Sequence, residues 1–114
     1  MFYPDGKRKA LTMSYDDGQM YDRRLVEIFN RYGIRGTFHL ISGLLDHEGY
    51  VTSAEVPVLY RGHEVSGHTR HHDPMSMLPG VGIVQELLED KQALETLCGR
   101  PVCGMSYPYG DRME

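Results

Sequence analysis

The chain has no tryptophan, two cysteines in 114 residues, and no apolar run approaching the length of a membrane span. Two cysteines are too few for a disulfide scaffold. The lone C-x4-C of Cys98 and Cys103 lacks the second pair of a structural zinc site, so both are expected to be buried small hydrophobes. Cationic residues are also scarce: 12 Lys and Arg stand against 16 Asp and Glu, a formal charge of −4 with no basic stripe. That balance argues against a nucleic-acid or anionic-membrane partner, because phosphate surfaces are held mainly by clustered Lys and Arg. The first ten residues, MFYPDGKRKA, contain no apolar signal-peptide core, which leaves the cytoplasm as the default compartment. What is present is a globular composition, 40% hydrophobic and 25% charged, in a length suited to one domain. Six histidines and eight tyrosines are the first specific feature.

Turn signals divide the chain into alternating strands and helices. Arg8 to Tyr15, with Ala10-Leu11-Thr12-Met13 at its centre, reads as a buried strand that stops at Asp16-Asp17-Gly18. Asp22 is placed to cap a helix in which Leu25, Ile28, Phe29 and Tyr32 share one face, and Gly33 to end it. Gly36 to Ile41 is a second strand, and Thr52 or Ser53 starts a short helix through Leu59 and Tyr60 that ends at Gly62. His63 to Gly67 is a third strand, leading into a polar loop from His68 to Pro79. A longer helix carries Ile83, Val84, Leu87, Leu88, Leu94 and Leu97 and closes at Gly99, and Pro101 to Met105 forms a fourth strand. This β-α-β-α-β-α-β order predicts an α/β fold with a parallel sheet and right-handed crossovers. Ligands of such sheets gather at the carboxyl ends of the strands, where Asp16, Asp17, the loop from His68 and the turn Tyr107 to Gly110 all fall.

His68 and His72 are four residues apart, which brings both imidazoles to one side of a helical turn, while His71 at i+3 competes as the partner of His68. One carboxylate from the first strand end completes a two-His, one-carboxylate set with coordination positions left open, as a hydrolytic metal requires. Zn²⁺ is the default, with Fe²⁺, Co²⁺ and Mn²⁺ as alternatives. Successive side chains alternate along an extended strand, so Asp16 and Asp17 are expected to point apart, one toward the metal and the other toward the water it activates. Against this stand ordinary turn chemistry for two aspartates before a glycine and a solvated polar loop for the histidines. His39, His47 and His63 are expected to be structural or surface residues.

Three segments, taken together, resemble the polysaccharide deacetylase family, the NodB homology domain of carbohydrate esterase family four. Thr12-Met13-Ser14-Tyr15-Asp16-Asp17-Gly18 resembles the TFDDG motif, Gly62 to His72 a GHE-type strand leading into H-[ST]-x-x-H, and Tyr107-Pro108-Tyr109-Gly110 the R-x-P-[YF] motif. The resemblance implies Asp16 as catalytic base and Asp17, His68 and His72 as ligands of one divalent metal. It also implies the Tyr107 backbone N–H as an oxyanion donor, with Pro108 and Tyr109 shaping an acetyl pocket. The activity implied is metal-dependent removal of N- or O-acetyl groups from an acetylated carbohydrate. Ser106 stands where the third motif usually has an arginine that orients the base, which leaves Arg70 or Arg112 to substitute.

The family's domain is a longer distorted (β/α) barrel whose later motifs supply an aromatic pocket wall and a histidine that protonates the leaving amine. Residues 1–114 are therefore expected to form a single partial domain, about half of that barrel, without the C-terminal motifs. Four strands leave open edges, since a parallel barrel closes with about eight, so a homodimer or swapped oligomer is expected to cover them. The competing readings are a non-catalytic metal- or glycan-binding remnant, an amidohydrolase acting on a small cyclic amide, and a phosphoacceptor receiver domain. The last lacks its required Asp at the end of the third strand, where Ser66-Gly67-His68 stands.

Overall fold

The computed structural model describes residues 1–110. Strands β1 (Ser14–Asp17), β2 (Thr37–Leu40) and β3 (Glu64–Gly67) form a parallel sheet in that order, and helices α1 (Asp22–Tyr32), α2 (Val56–Leu59) and α3 (Gly80–Cys98) connect and flank it. This is the α/β architecture of parallel βαβ units that the sequence predicts. The register pairs Asp16 with His39 and His39 with Ser66, and places Tyr15, Phe38 and Val65 side by side. Because side chains alternate across the sheet, Tyr15, Phe38, Leu40 and Val65 share one face and Ser14, Asp16, Thr37, His39, Glu64 and Ser66 the other. The first face meets Val26 and Phe29 of α1, Tyr60 after α2 and Leu94 of α3 in one core. Phe38, fully buried, lies 5.0 Å from the Tyr60 ring and 5.5 Å from the His63 ring. The second face is polar and satisfies itself: Thr37 Oγ1 and Ser66 Oγ both donate to Glu64, at 3.4 and 3.0 Å.

Several boundaries differ from the expected ones, each for a physical reason. β1 begins at Ser14, and Leu11 is 83% exposed, because β2 starts at Thr37 and its N–H, donated to the Met13 carbonyl at 2.8 Å, is the first rung available. Asp22 is the first residue of α1 and no cap; it is buried and accepts the Tyr60 hydroxyl at 2.6 Å. The inward face of α1 is Asp22, Val26 and Phe29 with Leu25 half-buried, while Tyr32 is exposed. The turn into α2 is closed by a reciprocal cap in which Thr52 N–H donates to Glu55 Oε2 (2.7 Å) and Glu55 N–H to Thr52 Oγ1 (3.3 Å). The fourth strand is reduced to one parallel bridge between Gly67 and Met105. Backbone groups of Val102 that a ladder would use are taken by α3 instead: its N–H donates to Glu95 Oε1 at 3.0 Å, and its carbonyl accepts from Lys91 Nζ at 2.6 Å. Cys98 is half-buried and Cys103 exposed, so neither is the fully buried small hydrophobe expected.

The largest departure concerns α3. Val84 and Leu88, expected inside, are 54% and 50% exposed, and the residues turned inward are Glu86, Asp90 and Leu94. Both α1 and α3 stop at a glycine in the left-handed conformation, Gly33 and Gly99, as expected.

Candidate metal and acid-base site

Asp16 and Asp17 end β1, and His68 follows β3, so strand pairing alone brings them to one rim. Asp17 has φ 84°, left-handed and uncommon for a residue with a side chain. That conformation breaks the strand alternation, so the two aspartates do not part as expected: Asp17 Oδ1 lies 3.3 Å from His68 Nε2, and Asp16 Oδ2 lies 3.9 Å from the same nitrogen. His72 also takes a left-handed conformation (φ 63°), and its N–H donates to Thr69 Oγ1 at 3.1 Å. This tight turn, rather than a helical one, brings His72 Nε2 to 3.1 Å from His68 Nε2 and 3.5 Å from Asp17 Oδ1.

The three donor atoms thus stand 3.1, 3.3 and 3.5 Å apart. For a cation about 2.0–2.1 Å from each ligand, neighbouring donors should be separated by roughly 2.9–3.4 Å, from octahedral to tetrahedral angles. Two of the three spacings fall in that range and the third, His72 to Asp17, lies just beyond it, so the set fits a divalent ion after a small adjustment. Its protonation state fits as well. His68 Nδ1 donates to the Ser106 carbonyl at 2.9 Å, which fixes the tautomer and leaves an Nε2 lone pair. Burial, followed by the proximity of His68, moves the His72 imidazole pKa down and favours its neutral, ligating form.

His71 is turned elsewhere. Its Nδ1 lies 2.6 Å from Glu86 Oε1 and its N–H donates to Glu86 Oε2 at 2.8 Å, so the carboxylate from α3 anchors the loop next to His72. A second buried carboxylate of α3, Asp90, accepts the His68 N–H at 3.0 Å through Oδ2 and the Ser42 N–H at 2.9 Å through Oδ1. Burial raises its pKa to about 6 in spite of these hydrogen bonds. The fit requires glycine at 67, where a Cβ would stand 2.7 Å from Asp90 Oδ2. Neither Glu86 nor Asp90 is marked by the apolar periodicity of α3; the only sequence signal is an acidic residue at helical spacing among its apolar positions.

Asp16 is held on its other oxygen. Asp16 Oδ1 accepts the Ser106 hydroxyl at 3.0 Å and lies 3.2 Å from His39 Nδ1. Arg70 is engaged elsewhere, donating to Ser42 Oγ at 3.2 Å, and Arg112 lies outside the described residues. Tyr107 is exposed, Pro108 is buried, and the exposed Tyr109 lies with its ring centroid 4.6 Å from that of His72. His63 is structural, accepting the Gly36 N–H at 3.1 Å, and His47 Nδ1 lies 3.2 Å from the Leu45 carbonyl.

Parallel strands with polar side chains converging beyond their carboxyl ends define the class, that of α/β proteins whose site is built on the strand-end rim. The family model for polysaccharide deacetylase matches residues 4–114, and the chain belongs to that family. A chitin deacetylase from Pestalotiopsis sp. is 26% identical over 105 residues, covering 88% of the chain and 34% of the relative. A probable peptidoglycan-N-acetylglucosamine deacetylase from Arthroderma benhamiae is 28% identical over 103 residues, covering 88% and 23%. Among solved structures, the Streptococcus pyogenes deacetylase PplD in complex with acetate superposes with a TM-score of 0.88 at 18% identity, over 94% of the chain and 49% of its own length. A polysaccharide deacetylase from Bacillus cereus does so with a TM-score of 0.86 at 20% identity, over 96% and 36%. The fold is therefore that of these deacetylases, and the chain spans about a third or less of the curated relatives and at most about half of these solved structures.

Proposed function

We propose that the chain carries the metal site and base of a deacetylase that removes acetyl groups from an N-acetylglucosamine-containing carbohydrate. The observation that carries this reading is the trio of Asp17, His68 and His72, with donor spacings of a divalent site, beside a second carboxylate already hydrogen-bonded on one oxygen. The two curated relatives, a chitin deacetylase and a probable peptidoglycan-N-acetylglucosamine deacetylase, support the substrate class.

Asp17 Oδ1, His68 Nε2 and His72 Nε2 would hold the ion, Zn²⁺ by the ligand set. When bound, such an ion polarises the acyl carbonyl and brings the pKa of a water down toward neutrality. Asp16 Oδ2, the oxygen that faces His68, takes the proton of the attacking water. The Tyr107 backbone N–H donates to the oxygen on which negative charge develops, and Pro108 and Tyr109 form the wall against the acetyl group. Ser106 keeps His68 and Asp16 in one arrangement through its carbonyl and its hydroxyl. The proton taken up by Asp16 passes to the leaving nitrogen as the C–N bond breaks, and the products are acetate and a free amine.

Acetate release from N-acetylglucosamine oligomers, with zinc and after chelation, tests the reading. Any release is expected to be slow, since residues 1–114 carry no counterpart of the histidine that protonates the leaving amine, and to depend on zinc, and Asp16→Asn should abolish it while zinc stays bound. A zinc-loaded chain that binds the oligomer without releasing acetate would make it a glycan-binding relative rather than an enzyme.

A further inference from the structure

Ser106 occupies the position at which the third motif carries arginine, and neither Arg70 nor any other cation among the described residues is paired with Asp16. The carboxylate is nevertheless not left to solvent. Two groups converge on the same oxygen, Oδ1: the Ser106 hydroxyl at 3.0 Å and His39 Nδ1 at 3.2 Å. His39 belongs to β2, pairs with Asp16 in the strand register, and is buried on the polar face of the sheet. Its Nδ1 also lies 3.2 Å from the Tyr15 carbonyl. The carbonyl can only accept, so His39 Nδ1 carries a hydrogen, donated to Tyr15 and lying close to Asp16 Oδ1. The third neighbour of this nitrogen, Ser14 Oγ at 3.4 Å, is at the limit of hydrogen bonding.

Ser106 Oγ makes one further contact, 2.7 Å from His68 Nδ1. With its hydrogen given to Asp16, Oγ is an acceptor there, and His68 Nδ1–H is shared between Oγ and the Ser106 carbonyl. The hydroxyl therefore couples the orientation of a proposed ligand to that of the proposed base.

We propose that His39, with Ser106, is a positioning residue for the Asp16 base, taking over the task the motif's arginine would perform. Resting on the deacetylase reading above, the inference assigns a role to a histidine that the motif segments do not include. The Ser106 hydroxyl bonded to Oδ1 and the His39 Nδ1–H close beside that oxygen fix the carboxylate plane and leave Oδ2 directed at the reaction centre, so proton transfer starts from one geometry.

Two measurements test it. In the metal-free full chain, long-range ¹H–¹⁵N spectra of the histidines should show His39 as the Nδ1–H tautomer, with a resonance displaced by Asp16→Asn. An Nε2–H tautomer indifferent to that change would overturn the inference whether or not the chain turns over. In the zinc-loaded chain, His39→Phe should lower kcat by about 10–100-fold with KM and zinc stoichiometry unchanged. His39→Asn, whose amide can donate from nearly the same place, should recover most of the loss. Wild-type kcat in His39→Phe, or equal loss in both variants, would contradict a positioning role. A wild-type chain without acetate release would instead refute the functional reading on which the role depends.

Discussion

Helices α1 and α3 flank the same sheet and solve opposite problems. α1 turns Val26 and Phe29 inward, with the buried Asp22 at its first position bonded to Tyr60, and carries Arg23, Arg24, Glu27 and Arg31 on its exposed side, where Glu27 meets both Arg24 and Arg31 at helical spacing. α3 turns Glu86 and Asp90 inward with Leu94 and leaves Val81, Val84 and Leu88 in solvent. The difference follows from what each helix covers. α1 lies against aromatic side chains, with Phe29 5.8 Å from Tyr15 and 6.3 Å from Phe38. α3 lies beside the loop after β3, where the His68 N–H is shared between the Leu40 carbonyl of β2 and Asp90, and the His71 N–H is satisfied by Glu86. One helix supplies core; the other holds the ligand-bearing loop in shape.

The contrast can be tested from its largest effect to its smallest. Phe29→Ala should cost about 3–5 kcal/mol in urea unfolding, because it opens a cavity among the aromatic residues, and should leave the zinc affinity of the folded chain unchanged. Asp90→Ala should cost about 1–3 kcal/mol by orphaning the Ser42 N–H and removing one of the two acceptors of the buried His68 N–H, and should also weaken zinc binding by about 10–100-fold. Equal zinc affinity in the two variants would erase the distinction between the helices. A smaller effect is expected outside. Arg23, on α1, holds the Glu55 carboxyl well below the usual range, at about 2, through a pair at 2.6 Å. A depressed pKa means stability present above about pH 4.5 and lost as pH falls toward 2. Glu55→Gln should flatten that acid limb by about 1 kcal/mol, since the pair is open to water. Val84→Gln and Leu88→Gln should change stability by about 0.5 kcal/mol or less, and a larger loss would show that this apolar stripe is covered.

The same contrast explains what could be read from the sequence. Glycines at 33 and 99, the second and third strands, and the crowding of Asp16, Asp17, His68 and His72 at one rim were all legible, because turn chemistry and strand direction are local properties. α3 misled because its apolar residues do fall at helical spacing, yet two buried carboxylates outrank Val84 and Leu88 for the inward face. The positive φ of Asp17 and His72 left no trace in composition, so neither the convergence of the paired aspartates nor the tight turn at His72 was visible. The position of His39 beside Asp16 depends on register alone, and register is set by the whole sheet.

The most direct measurement is a zinc titration of the metal-free chain and four alanine variants. One zinc per chain is expected for the wild type, lost in Asp17→Ala, His68→Ala and His72→Ala and retained in His71→Ala, whose imidazole faces Glu86. Equal loss in all four variants, or no zinc bound by the wild type, would contradict the site.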